Sequence, residues 1–237
     1  MSGEEPRGWG APLYAAVLDA AAVGPGTSVL DLGCGAGPFA RAAADRGARV
    51  TGIDLDPAAV ALAAAEVPEG SFAVGNAQDP PPGPFDVVVM VQLLMHVADP
   101  AAVLAAAARS GAVVAATVWG RERECDIRVF GEALAPWLGP HRPADSPVSE
   151  PGRLREFARR AGLVVERLEE VVCPFDYADE DELLGPLFES ALGRAVGRQA
   201  GPVALRAAVL ERLAPYRTPS GGYRLINLFR VLVARPE

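Results

Sequence analysis

Short runs of β-branched residues alternate with alanine-rich stretches along the first half of the chain. That alternation predicts βαβ units and a parallel sheet. Residues 14–23 read as a leading helix closed by the Gly24-Pro25-Gly26 turn, and 28–32 as a first strand that opens into a glycine loop. A helix is expected over 39–46 and a second strand over 49–54. Asp56-Pro57 then supplies a cap and a first-turn proline for a helix reaching Ala65. Strands follow at 71–74 and, expected to be fully buried, at 85–91. Asp99-Pro100 repeats the cap-and-proline device ahead of a helix to Arg109, and 112–119 makes a fifth strand.

Beyond Trp119 the texture changes. Residues 120–150 are richer in charge, proline and aromatics and read as an insertion holding one helix, 129–138. The amphipathic pattern returns as a helix over 151–161, and a strand is expected over 163–173. Two further helices are expected over 179–198 and 203–213, joined by Gly201-Pro202, and the chain closes on a long apolar strand, 223–234. A single domain over 1–237 fits this length, with a ligand-binding core over 27–119 and lid segments at 120–150 and 179–213.

Composition narrows the chemistry. The chain has 237 residues, half of them hydrophobic, and a net charge of −8. Net acidity argues against nucleic acid as a partner, because phosphate binding needs a basic surplus. No uninterrupted apolar run is long enough to span a membrane, and the first ten residues carry two glutamates and no apolar core of a secretory signal. Three widely spaced cysteines, Cys34, Cys125 and Cys173, suit a reducing cytoplasm better than a disulfide framework or a zinc site. There is no lysine; all 22 basic side chains are arginine. Schiff-base catalysis, a P-loop lysine and a Tyr-Lys dehydrogenase site therefore lack their amine.

The sharpest local signal is Val29-Leu30-Asp31-Leu32-Gly33-Cys34-Gly35-Ala36-Gly37, where a buried strand ends beside an acid and opens into three alternating glycines. Glycines there allow positive φ and close approach of a ligand to the backbone. Pro38 occupies the place where a dinucleotide fingerprint sets its last glycine, which counts against a nicotinamide oxidoreductase. Asp54, about 20 residues beyond the loop, can accept both hydroxyls of a ribose. Leu55 is placed either against an adenine face or in ordinary packing. Gly75-Asn76-Ala77-Gln78 follows the third strand as a polar turn, and Val91, Gln92 and His96 follow the fourth.

Taken together, these four segments resemble the cofactor motifs of class I S-adenosylmethionine-dependent methyltransferases of the small-molecule type. The resemblance spans residues 27–119. It implies a doubly wound α/β, Rossmann-like sheet of seven strands in the order 3-2-1-4-5-7-6, the last antiparallel, with a helical lid. It implies S-adenosyl-L-methionine as cofactor and S-adenosyl-L-homocysteine as product. Contacts are expected from Tyr14, Asp31, Gly33, Cys34, Gly35, Gly37, Asp54, Leu55, Asn76, Ala77, Gln78, Val91 and Gln92. Asn76 stands where the family usually has aspartate; its amide oxygen can still accept a hydrogen bond from the adenine amine.

Transfer of a methyl group to a phenol or acidic carbon also needs a base, and only His96 and His141 titrate near neutrality when unperturbed. His96 falls on the family's recurrent histidine, and each of the two also admits a non-catalytic role. The sequence thus predicts a cytoplasmic methyltransferase, monomer or homodimer, acting on O, N or C of a small-molecule acceptor. Neither nucleic acid nor membrane is expected as a partner, no metal site is expected, and specialised metabolism is the expected setting. The rival readings are a related fold that uses its bound cofactor for a cyclisation, a rearrangement or binding alone, a nicotinamide enzyme, and a macromolecular methyltransferase.

Overall fold

The structure, a computed structural model, describes residues 8–138 and 145–237. The strands are β1 (Ser28–Leu32), β2 (Arg49–Asp54), β3 (Ser71–Val74), β4 (Phe85–Val91), β5 (Gly111–Trp119), β6 (Leu163–Tyr177) and β7 (Tyr223–Pro236). They form one sheet in the order β3-β2-β1-β4-β5-β7-β6. Neighbours from β3 to β5 run parallel, in registers such as Asp31↔Gly52 and Val29↔Val87, whereas β7 lies antiparallel to β5 from Val114↔Ala234 to Trp119↔Phe229. The expected strand order and the antiparallel last strand are both present.

The helices are α1 (Ala11–Ala20), α2 (Pro38–Asp45), α3 (Pro57–Glu66), α4 (Pro100–Ser110), α5 (Arg128–Leu138), α6 (Pro151–Arg160), α7 (Glu180–Glu189), α8 (Ala191–Ala200) and α9 (Pro202–Leu213). The chain separates into two compact units. The larger comprises Ala11–Trp119, Ser146–Val171 and Phe229–Glu237; the smaller is made by the described parts of Met1–Gly10, Gly120–Asp145 and Val172–Leu228.

In the larger unit the central strands are buried on both faces. Leu30, Leu32, Val88, Met90, Val114, Val118 and Leu232 form a core with Val103, Leu104, Leu154 and Ala158 from α4 and α6. Small alanines on the helices let them lie close to the β-branched strand residues. Both capping expectations are met: Asp56 Oδ1 accepts from Ala58 N at 2.9 Å and Asp99 Oδ1 from Ala102 N at 3.1 Å, each ahead of a proline. Each cap contributes about 1 kcal/mol.

In the smaller unit α5 packs on α8 and α9, and α7 on α8. Phe175 and Tyr177 are buried there, and Trp9 meets Phe175 with ring centroids 5.1 Å apart. The expected helix over 179–198 is instead two, because Ser190 stops α7 and starts α8; its hydroxyl accepts from Gly193 N at 2.9 Å. The leading helix starts earlier than its sequence pattern, at Ala11, and stops at Ala20, and β6 continues to Tyr177. Surface arginines are paired in both units, among them Arg41 with Asp45 and Glu69, Arg206 with Glu180, and Arg235 with Glu166.

Candidate functional site

Parallel strands β1, β2 and β4 bring their carboxyl ends to one edge of the larger unit, the edge at which open α/β sheets bind ligands. Asp31 is the penultimate residue of β1 and only 1% exposed. Neither of its carboxylate oxygens has a hydrogen-bond partner. Burial, and after it the negative charge of Asp54, push its pKa up to about 7. The Cys34 thiol is pushed up to about 12, chiefly by burial and then by Asp31 and Asp54, so it stays protonated and unreactive.

The glycine loop is a backbone mould around this carboxyl group. Gly33, Gly35 and Gly37 all have positive φ, of 74°, 53° and 89°. Their surroundings differ. A Cβ at Gly37 would lie 2.9 Å from the Ala63 Cα of α3, so that glycine lets two helices approach. A Cβ at Gly35 would meet nothing within 4 Å. Open space over a left-handed glycine is what a ligand lying on the backbone requires.

Asp54 closes β2 half-buried, its Oδ2 accepting from Gly35 N at 2.9 Å and its Oδ1 from Asp56 N at 3.0 Å. These bonds hold the carboxylate beside the loop with lone pairs left for a diol. The next residue, Leu55, is 70% exposed. It packs on little of the protein and offers an apolar surface for a flat ring. Gly75 N donates to Asp54 O at 2.9 Å, which draws the turn after β3 to the same edge. Asn76 Oδ1 accepts from Gln78 N at 2.9 Å, so the oxygen expected to read an adenine amine already closes a turn and keeps one lone pair. Ala77 is half-buried and Gln78 exposed.

Gln92, immediately after β4 and Val91, has φ of 58° although it is not glycine. Its backbone N donates to Thr117 O at 3.2 Å and to Thr117 Oγ1 at 3.1 Å, and its side-chain Nε2 donates to the same hydroxyl at 3.0 Å. The amide oxygen is left buried without a partner. Asp31 and Gln92 therefore present three unsatisfied acceptor oxygens at the ends of adjacent strands, an arrangement that suits a cationic group. Tyr14, on α1, stands edge-on to Phe39 in the first turn of α2, at 6.0 Å.

His96 ends a short 3₁₀ turn over Leu94–His96 and is exposed. His141 lies outside the described residues. Among the described residues no group of three or more His, Cys, Asp and Glu side chains could hold a metal ion, and no helix is long and apolar enough to cross a membrane. Two contributors escaped the sequence reading. Thr117 holds the Gln92 turn, and Leu93 packs where a Cβ on Gly33 would lie, 2.8 Å away. The hydroxyl at 117, inside an otherwise apolar strand, was the available signal for the first.

S-adenosylmethionine has a cationic amino-acid end, a ribose diol and a flat adenine. The residues at this edge fit those three parts: unsatisfied acceptors, an anchored carboxylate and an exposed apolar side chain.

A family model described as a methyltransferase domain matches residues 30–112. The ubiquinone biosynthesis O-methyltransferase of Pseudomonas aeruginosa (strain UCBPP-PA14) is 35% identical over 167 residues, covering 65% of this chain and 72% of that protein. The solved structure of the 4+2 cyclase SpnF has a TM-score of 0.60 at 22% identity, over 94% of this chain and 80% of that one. Magnesium protoporphyrin IX methyltransferase from Synechocystis PCC 6803, solved with bound S-adenosylmethionine, gives 0.52 at 15% identity, over 95% and 76%. Both structural likenesses are of fold.

Proposed function

The chain belongs to the class I S-adenosylmethionine-dependent methyltransferase family, and from that premise we propose that it methylates an oxygen of a small metabolite. The observation that carries the placement of the cofactor is the group of unsatisfied oxygens of Asp31 and Gln92 beside the open backbone of Gly35. The choice of oxygen as acceptor atom is supported by the O-methyltransferase relative.

On this reading Asp31 and Gln92 face the cofactor's ammonium, and Gly33 to Gly37 lie along its amino-acid chain. Asp54 accepts from the ribose hydroxyls, Leu55 covers one face of the adenine, and Asn76 meets the exocyclic amine with its remaining lone pair. Tyr14, Cys34, Ala77, Gln78 and Val91 border the same ligand. When bound, S-adenosylmethionine supplies an electrophilic methyl carbon and leaves as S-adenosylhomocysteine. The residues then have to align the acceptor and take up its proton, and alignment can account for much of the acceleration. His96, open to solvent after β4, is the described group suited to receive that proton.

The reading is tested by calorimetric titration with S-adenosylmethionine and S-adenosylhomocysteine, followed by product mass from a mixture of phenols and catechols. Saturable binding of both, lost in Asp54→Ala, and a product heavier by one methyl group are expected. A product of unchanged mass would mark a rearrangement and overturn the proposal.

A further inference from the structure

The smaller unit holds a cavity of about 300 Å³ that none of the cofactor residues lines. Its walls come from Phe130 and Leu134 of α5, Leu183 and Leu187 of α7, and Leu192 of α8. Leu134 and Leu183 are 1% and 2% exposed, so they form the floor, whereas Leu192 is 47% exposed and forms the rim. No charged side chain is among the described lining residues. The hydroxyl of Ser190 is committed: it donates to Leu187 O at 2.8 Å and accepts from Gly193 N at 2.9 Å.

Two features keep this space from being a mere packing defect. The elbow at Ser190 sets α7 and α8 at a fixed separation, because a Cβ on Gly193 would run into Leu187 O; the two helices are already in backbone contact. They cannot close over the cavity by moving together at that point. A water molecule inside needs two to four polar partners, and the only polar side chain among the described lining residues, Ser190, has its hydroxyl committed. A pocket of this size lies at the lower end of the range for small organic ligands.

We infer that this cavity seats the uncharged, apolar part of a small molecule, one or two aromatic rings or a branched hydrocarbon.

The test is a fluorescence titration of the full chain with N-phenyl-1-naphthylamine, a neutral apolar probe. Saturable one-to-one binding with blue-shifted emission is expected. Leu187→Trp fills the cavity from its half-exposed wall and should weaken binding about tenfold or more. Leu192→Trp, at the rim, does the same with little demand on folding. Neutral 2-naphthol should displace the probe, and 2-naphthoate should not. Non-saturable binding, wild-type affinity in both variants, or equal displacement by the anion would each overturn the inference. Titrating the same samples with S-adenosylmethionine separates the two proposals. Cofactor binding without probe binding sinks the cavity, and probe binding without cofactor binding sinks the methyl-transfer reading.

Discussion

Asp31 is a buried acid with no partner, and its folded-state pKa of about 7 lies above its ordinary 3.8. The folded protein therefore binds this proton more tightly than the unfolded chain. Its contribution to stability is complete below about pH 4 and is lost as pH rises through about 7. We expect the melting temperature of the ligand-free protein to fall over that window, and Asp31→Asn to remove the decline. A cationic ligand favours the carboxylate, so cofactor affinity should rise through the same window. Gln92 carries the other local cost. A left-handed conformation disfavours any residue but glycine by about 1 kcal/mol. Gln92→Gly relieves that strain, offset by greater freedom of the unfolded chain, so stability should stay within about 1 kcal/mol of wild type. S-adenosylmethionine affinity should nevertheless drop, as calorimetry would read; unchanged affinity would show that the amide oxygen touches nothing that matters.

Among the elements, Ser190 decides whether 179–198 is one helix or two. Its cap bond to Gly193 N is worth about 1 kcal/mol, and Ser190→Ala should lower the urea unfolding free energy by that amount. Serine is a cap residue by type but also occurs inside helices, and Gly185-Pro186, the stronger breaker in this stretch, lies within α7 and does not mark where the helix divides. The interruption becomes visible only when the hydroxyl finds its two backbone partners. The opposite holds for α3 and α4, where Asp56-Pro57 and Asp99-Pro100 announce their helices in the dipeptide itself. The strand order was implied by the resemblance of these segments to the methyltransferase family and not by periodicity, which gives the strands but not their neighbours. Asp31, Gly35 and Asp54 were legible because a ligand-binding strand end needs an acid and flexible backbone in fixed order. Thr117 was not, since its role depends on a neighbour 25 residues away across the sheet. The cavity of the smaller unit was equally hidden, being made by three helices whose leucines look like ordinary core.

At the scale of the whole chain the net charge of −8 rests on 22 arginines set against 30 acidic residues. Many of those arginines are paired on the surface, as Arg41, Arg206 and Arg235 are. Exposed pairs of this kind add little at room temperature, since solvent screens them. Their persistence is another matter, because a guanidinium holds its proton far into the alkaline range where an ammonium would surrender it. Three weak acids are also late to ionise: Tyr216 and Tyr223 are raised, first by burial and then by Asp126 and Glu180, and the Cys34 thiol stands at about 12. With no lysine, no ε-amino group loses its proton between about pH 8 and about pH 11. Urea midpoints measured across that interval should stay level, and a steep fall would mean that some unpaired acid inside the fold is giving up its proton. The paired arginine surface thus makes the molecule a poor buffer above neutrality, with an electrophoretic mobility that barely changes while lysine-bearing proteins of similar size shed their positive charge.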